Sequence, residues 1–123
     1  MKTLNRNKRK VIAANFLGQV PERDTDGLLT GNYIDTYDVP VEYQMNVSAA
    51  RGEAYQEIFG INLEYDKVLV HENPNIDITE NTVLWIDKPY EMRGNTPLND
   101  YEIKRIARSL NSVSIAVFKV NKS

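Results

Sequence analysis

A single histidine, seventeen carboxylates and no cysteine bound the chemistry open to this 123-residue chain. Without cysteine there is no disulfide framework, no thiolate metal centre and no thiol nucleophile, a composition that suits folding in a reducing cytoplasm. A general base would have to be His71, a carboxylate or a lysine of lowered pKa. His71 closes the segment Lys67-Val68-Leu69-Val70-His71, which reads as a strand, and Glu72 follows it. Consecutive strand residues face opposite ways, so these two are badly set for a histidine-carboxylate pair, and no nucleophile motif accompanies them. Asp24-Thr25-Asp26-Gly27 resembles a fragment of a calcium loop. The further carboxylates and the closing glutamate of such a loop are missing, so Asp26-Gly27 reads as a tight turn instead. Neither standard glycine-rich phosphate loop occurs, and no pattern calls for a metal or a cofactor.

Charge is distributed in three zones beneath a net value of −2. Residues 1–10 carry Lys2, Arg6, Lys8, Arg9 and Lys10 with no acid, and residues 11–99 carry fifteen acids against five bases. Residues 100–123 return to positive, with Lys104, Arg105, Arg108, Lys119 and Lys122 against Asp100 and Glu102. A basic-acidic-basic chain suits self-association or docking on charged partners. Seven tyrosines and basic ends also raise a small nucleic-acid-binding β-barrel, which needs aromatic platforms beside a positive groove. Here Asp35, Asp38 and Glu42 sit among Tyr33, Tyr37 and Tyr43, an arrangement that repels phosphate and leaves packing as the better use of the rings.

The elements that must position these groups are mostly strands. A chain of this length with 41% apolar residues forms one domain. No apolar run approaches the roughly 20 residues that span a bilayer, and no membrane partner is expected. Lys8-Arg9-Lys10 before Val11–Gly18 imitates a signal peptide, but Asn15 interrupts the apolar run and the cleavage pattern is missing. Lys10–Gly18 reads as a first strand, ended by the polar run Pro21–Gly27. Between Gly31 and Val47, Tyr33, Tyr37, Val39, Val41, Tyr43, Met45 and Val47 keep period-2 alternation around Pro40, predicting two strands with one apolar, aromatic face. Residues 48–65 break the pattern as a long loop, with helix propensity over Ala54–Phe59, and loops of this length within compact domains are usually functional or disordered.

Lys67–His71 and Thr82–Ile86 read as strands, with Val68, Val70, Val83 and Trp85 expected on one sheet face. Val113–Val120 is a strand by its alternation. Asp100–Leu110 is ambiguous: Ile103, Ile106, Ala107 and Leu110 share one helical face, which spacing alone favours, while Asn111-Ser112 suits a hairpin turn. The expected organisation is a basic arm over 1–10, a β domain over 11–120 with the inserted loop 48–65, and a tail over 121–123. Its class is mainly β, a small single-domain barrel or sandwich whose long inserted loop has room for a short helix.

Several segments carry a family resemblance in order: Leu29-Thr30-Gly31-Asn32-Tyr33, Tyr37 with Pro40, Asn46–Glu53, Phe59-Gly60 and Tyr65–Val68. Ile78–Ile86 with its Leu84-Trp85-Ile86 ending, and Asp100-Tyr101 through Ala107–Ala116, continue it. Together they resemble the small head-closure proteins of long-tailed bacteriophages, also called stopper, head-tail connector or head-tail joining proteins. No single motif is diagnostic; their order and spacing, over nearly the whole chain, carry the likeness.

That resemblance implies a virion protein of the neck without catalysis, made and assembled in the host cytoplasm. It implies a β-barrel core and a homo-oligomeric ring beneath the portal and its adaptor. The ring closes the DNA channel after packaging and offers the surface to which the tail terminator or other tail proteins attach. Genomic double-stranded DNA passes through without sequence-specific binding. By the same analogy the inserted loop faces the channel with Arg51, Glu53, Tyr55, Glu57, Phe59 and Glu64, followed by Asp66, and its acids outnumber its one arginine. An acidic wall would let DNA leave, since Lys or Arg contacts to phosphate would hold it. Lys2, Arg6, Lys8, Arg9 and Lys10 would meet a neighbouring subunit or the portal or adaptor surface. The resemblance also favours a hairpin across 100–120, with a bulge letting Ile103 and Ile106 share a face. A tail terminator or other neck protein is the nearest alternative.

Overall fold

A computed structural model describes residues 8–49 and 65–121. Ten strands follow in order: β1 (Lys8–Ala14), β2 (Phe16–Arg23), β3 (Leu29–Tyr37), β4 (Val41–Ala49) and β5 (Lys67–His71), then β6 (Val83–Trp85), β7 (Met92–Arg93), β8 (Thr96–Pro97), β9 (Tyr101–Arg108) and β10 (Val113–Lys119). Six of them close an antiparallel barrel in the order β1-β4-β5-β10-β9-β6, so the mainly β class and the barrel hold. Two three-stranded meanders, β1-β4-β5 and β6-β9-β10, make up its wall. The helical turns expected over 54–59 lie outside the described residues.

Alternation explains the barrel wall. Val11, Met45, Leu69, Leu84, Ile103, Ile115 and Val117 point inward and are buried in one core cluster with Tyr101 and Val113. Burying one such aliphatic side chain contributes about 1.5–3 kcal/mol. The intervening residues point outward. Val83 and Trp85 therefore join Ala14 in a second apolar patch on the barrel exterior, while Val68 joins Ala116 in a third. Val68, Val70, Val83 and Trp85 share the outer face as expected, but in two separate patches, because β5 and β6 are not neighbours in the wall.

The ambiguous stretch 100–120 is a hairpin. Ile106 opposes Ile115 and Ile103 opposes Val117, with a register shift that leaves Lys104 as the extra residue. That bulge converts a spacing of three into two inward positions, and so imitates helical periodicity. The turn centres on Leu110-Asn111, one residue earlier than Asn111-Ser112, with the Ser109 N–H donating to the Ser112 carbonyl at 2.9 Å.

The single strand expected over 10–18 is two strands broken at Asn15. Asn15 Nδ2 donates to the Asp77 carbonyl at 3.1 Å, its Oδ1 accepts from Thr82 Oγ1 at 2.5 Å, and its own carbonyl accepts from the Asp38 N–H at 2.8 Å. With its polar groups committed to three residues in two connecting segments, this residue turns a corner and sends β2 out of the barrel. β2 and β3 then pair only with each other. Period-2 alternation runs across both β3 and β4, yet the two strands lie in different sheets: Met45 is core, whereas Tyr33 is 65% exposed. At the hairpin tip, the Gly27 N–H donates to the Asp24 carbonyl at 3.0 Å and Gly27 takes φ +81°. The turn thus centres on Thr25-Asp26, with Gly27 following as the left-handed residue instead of completing a two-residue Asp-Gly turn.

The 72–82 connection crosses one end of the barrel and seals it with Ile76 and Ile78, both buried in the main core. Arg108 holds this connection by donating to the carbonyls of Pro74, Ile76 and Ile78. Charged donors on several carbonyls make Arg108→Ala a loss of about 1–2 kcal/mol. Leu84→Ala, at a fully buried site, is expected to cost about 2–5 kcal/mol. Leu110→Ala, at 89% exposure, should fall within about 0.5 kcal/mol of the parent chain. Urea unfolding of the three variants checks this ranking.

Candidate functional site

The basic residues assigned to an N-terminal arm are divided by the structure. Lys8, Arg9 and Lys10 belong to β1, so the barrel wall begins before residue 11; Lys2 and Arg6 lie outside the described residues. Lys8 pairs with Glu72 at 3.1 Å, Arg9 with Asp87 at 2.8 Å and Lys10 with Glu42 at 3.9 Å. Pairing with acids of the same chain follows from β1 being a wall strand: its cations meet what adjoining segments present. Surface pairs of this kind contribute about 0–1 kcal/mol each.

Of the residues expected to line a channel, Arg51, Glu53, Tyr55, Glu57, Phe59 and Glu64 lie outside the described residues, and Asp66 is described. Asp66 acts within the fold. Its N–H donates to the Val117 carbonyl at 2.8 Å, and its Oδ2 accepts the Lys119 N–H at 2.6 Å, which fixes the entry of β5 against β10. The calcium-like carboxylate Asp24 is likewise a turn cap: Oδ1 accepts the N–H groups of Asp26 and Leu28, both at 2.9 Å. His71 Nδ1 accepts the Asn73 N–H at 2.9 Å, and Glu72 turns to Lys8.

The densest polar cluster lies where β1, β6 and β9 meet. Asp100, buried, accepts the Ile86 N–H on Oδ1 and the Asp87 N–H on Oδ2, each at 2.9 Å. Asp87 accepts Arg9 on Oδ1 at 2.8 Å and the Tyr101 hydroxyl on Oδ2 at 2.9 Å. Burial raises the Asp87 pKa, but hydrogen bonds from Arg9 and Tyr101, with the charges of Lys67 and Arg9, outweigh it and hold the carboxyl below its ordinary value. Tyr101 moves the other way: burial, the bond to Asp87 and the surrounding acids push its hydroxyl upward. Sequence reasoning passed over this cluster because Arg9, Asp87 and Tyr101 are far apart in the chain. Its chemistry is that of a latch, since both oxygens of each carboxylate already hold donors.

The exposed counterpart is the β2-β3 hairpin. Its base is seated on the outer patch of Ala14, Val83 and Trp85, where Tyr37 packs and Phe16 meets Tyr37 edge-on at 5.6 Å between ring centroids. Further out, Leu17, Val20, Leu28, Leu29 and Tyr33 are all more than 40% exposed. Glu22, Asp24, Asp26, Asp35 and Asp38 accompany them against one base, Arg23. A cavity of about 390 Å³ separates the hairpin from the β7-β8 ribbon, between Tyr33, Asp35 and Tyr37 on one side and Asn95–Pro97 on the other. The sequence signal for this surface is Leu28-Leu29 directly after the Asp26-Gly27 turn, two large apolar residues where a solvated turn would be polar.

No protein-family model matches the chain, and no curated protein is similar enough to count as a relative.

The latch makes stability depend on pH at both ends. Because Asp87 is lowered from 3.8 in the fold, its contribution is complete above that value and is lost as the pH falls from 3.8 through the folded value. Because Tyr101 is raised from 10.0, its contribution is complete below that value and is lost as the pH rises beyond it. Asp87→Asn should therefore flatten the acid limb of a plot of melting temperature against pH, and Tyr101→Phe the alkaline limb. Unchanged limbs in both variants would remove the latch from the account.

Proposed function

We propose that this protein is a head-closure protein of the bacteriophage neck, acting as a homo-oligomeric ring below the portal and adaptor. The ring closes the DNA channel after packaging and presents the surface to which the tail attaches. The observation that carries this reading is the ordered series of resembling segments from Leu29-Thr30-Gly31-Asn32-Tyr33 to Ala107–Ala116. The architecture supports it. The resemblance implies a small barrel with one long insertion, and residues 50–64 intervene between β4 and β5, which are neighbours in the barrel wall.

Physical character supports it as well. The barrel interior is filled by side chains and sealed by the 72–82 connection, so the fold offers a rigid block with outward surfaces, as a ring subunit requires. The acids Glu53, Glu57 and Glu64 would line the channel in this reading and repel the phosphate backbone of DNA in transit.

Removal of the protein from an infecting phage should leave full heads that lack tails and leak DNA; normal tailed particles would refute the proposal. Recovery of the protein with free tails instead of heads would favour a tail terminator. Placing lysine at Glu53 and Glu57 should slow DNA ejection in a salt-dependent manner, read by the rate at which triggered particles release a DNA-binding dye signal. An unaltered rate would count against the channel assignment.

A further inference from the structure

We infer that the tip of the β2-β3 hairpin docks on the β9-β10 hairpin of a second copy of this chain, in a head-to-tail contact. This gives the proposed ring its subunit interface, and so rests on that reading. Two exposed surfaces of the same molecule are complementary. The donor tip carries Leu28 and Leu29, 64% and 61% exposed, beside the carboxylates of Glu22, Asp24 and Asp26. The receiving surface carries Leu110, 89% exposed at the hairpin turn, and, further along the same hairpin, the exposed Lys104 and Arg105; Arg108 between them is committed to the 72–82 connection.

The bulge is what makes the receiving surface. Arg105 opposes the outward Ala116 and Lys104 is the extra residue, so two successive cations stand on the barrel exterior instead of alternating in and out. Lys104 Nζ lies 5.6 Å above the ring of Phe118, which holds its ammonium over β10. Opposite charge steers the two surfaces together, and the leucines supply apolar area for water to leave. Donor and acceptor are different surfaces of one chain, so the contact repeats from copy to copy and closes a ring when the rotation permits. One chain thereby holds two unlike faces, acidic-apolar and basic-apolar, whereas the cations of β1 are matched internally.

The absence of native cysteine makes the test direct. Chains carrying Leu28→Cys are mixed with chains carrying Leu110→Cys and treated with a short thiol-to-thiol cross-linker at low salt. The mixed dimer should be at least tenfold more abundant than in a mixture of Leu28→Cys with Glu91→Cys chains. Lys104→Glu with Arg105→Glu on the Leu110→Cys chain should abolish that excess, and Glu22→Lys with Asp26→Lys on the Leu28→Cys chain should restore it. Equal yields at both cysteine sites, or no response to the charge exchange, overturns the contact. So does a hairpin cysteine that, in assembled particles, cross-links to a different protein and never to its own kind. Particle phenotype on removal of the protein tests the ring reading separately: tailless heads with no specific cross-link would leave the ring and dismiss this interface.

Discussion

Closure of the barrel through β6 is the constraint on which the remaining structure depends. This strand has three residues and pairs with β1 on one side and β9 on the other, so it joins the two meanders along their second seam. So short a strand offers few ladder hydrogen bonds, and the surroundings supply what it lacks. Leu84 anchors it in the core, the Trp85 indole N–H donates to the Leu98 carbonyl at 3.1 Å, and Asp100 takes the two N–H groups that follow the strand. Arg9 and Tyr101 then converge on Asp87, tying β1 and β9 to the chain leaving β6.

The same closure decides which surfaces are left over. With β1 committed to β4 and β6, the chain leaving β1 at Asn15 has no place in the wall and forms a separate ribbon. Its base is secured by an apolar patch on the barrel exterior, and its outer half keeps leucine, valine and tyrosine in solvent. A monomer gains nothing from such residues there, because each would be more favourably placed away from water. Their concentration on one acidic projection is the physical basis for reading the ribbon as a contact element.

Much of the barrel was legible because alternation is a local property. The strands over 67–71 and 113–120, the turn near Asp26-Gly27 and the core role of Met45 follow from side chains two residues apart facing the same way. Where reading failed, a single residue altered the period or the path. Lys104, as a bulge, gave 103–110 the spacing of a helix, and Asn15 divided one apparent strand between a barrel and a ribbon. Tyr33 and Met45 share one unbroken alternation, yet one is solvent-exposed and the other buried, since alternation says which residues share a face and nothing about what covers it.

The sequence by itself determined a mainly β domain, the places of its hairpin turns to within a residue, and the division of charge along the chain. These are properties of residue type and near spacing, set before any distant pair meets. Only the tertiary structure decided which strands adjoin, which apolar faces turn outward, and that Arg9, Asp87 and Tyr101 form one cluster although 78 residues separate the first two. It also decided that the cations of β1 are matched within the chain while acids and leucines stand together on the ribbon. Such pairings depend on how the strands close into a barrel, a long-range outcome that period-2 alternation leaves open.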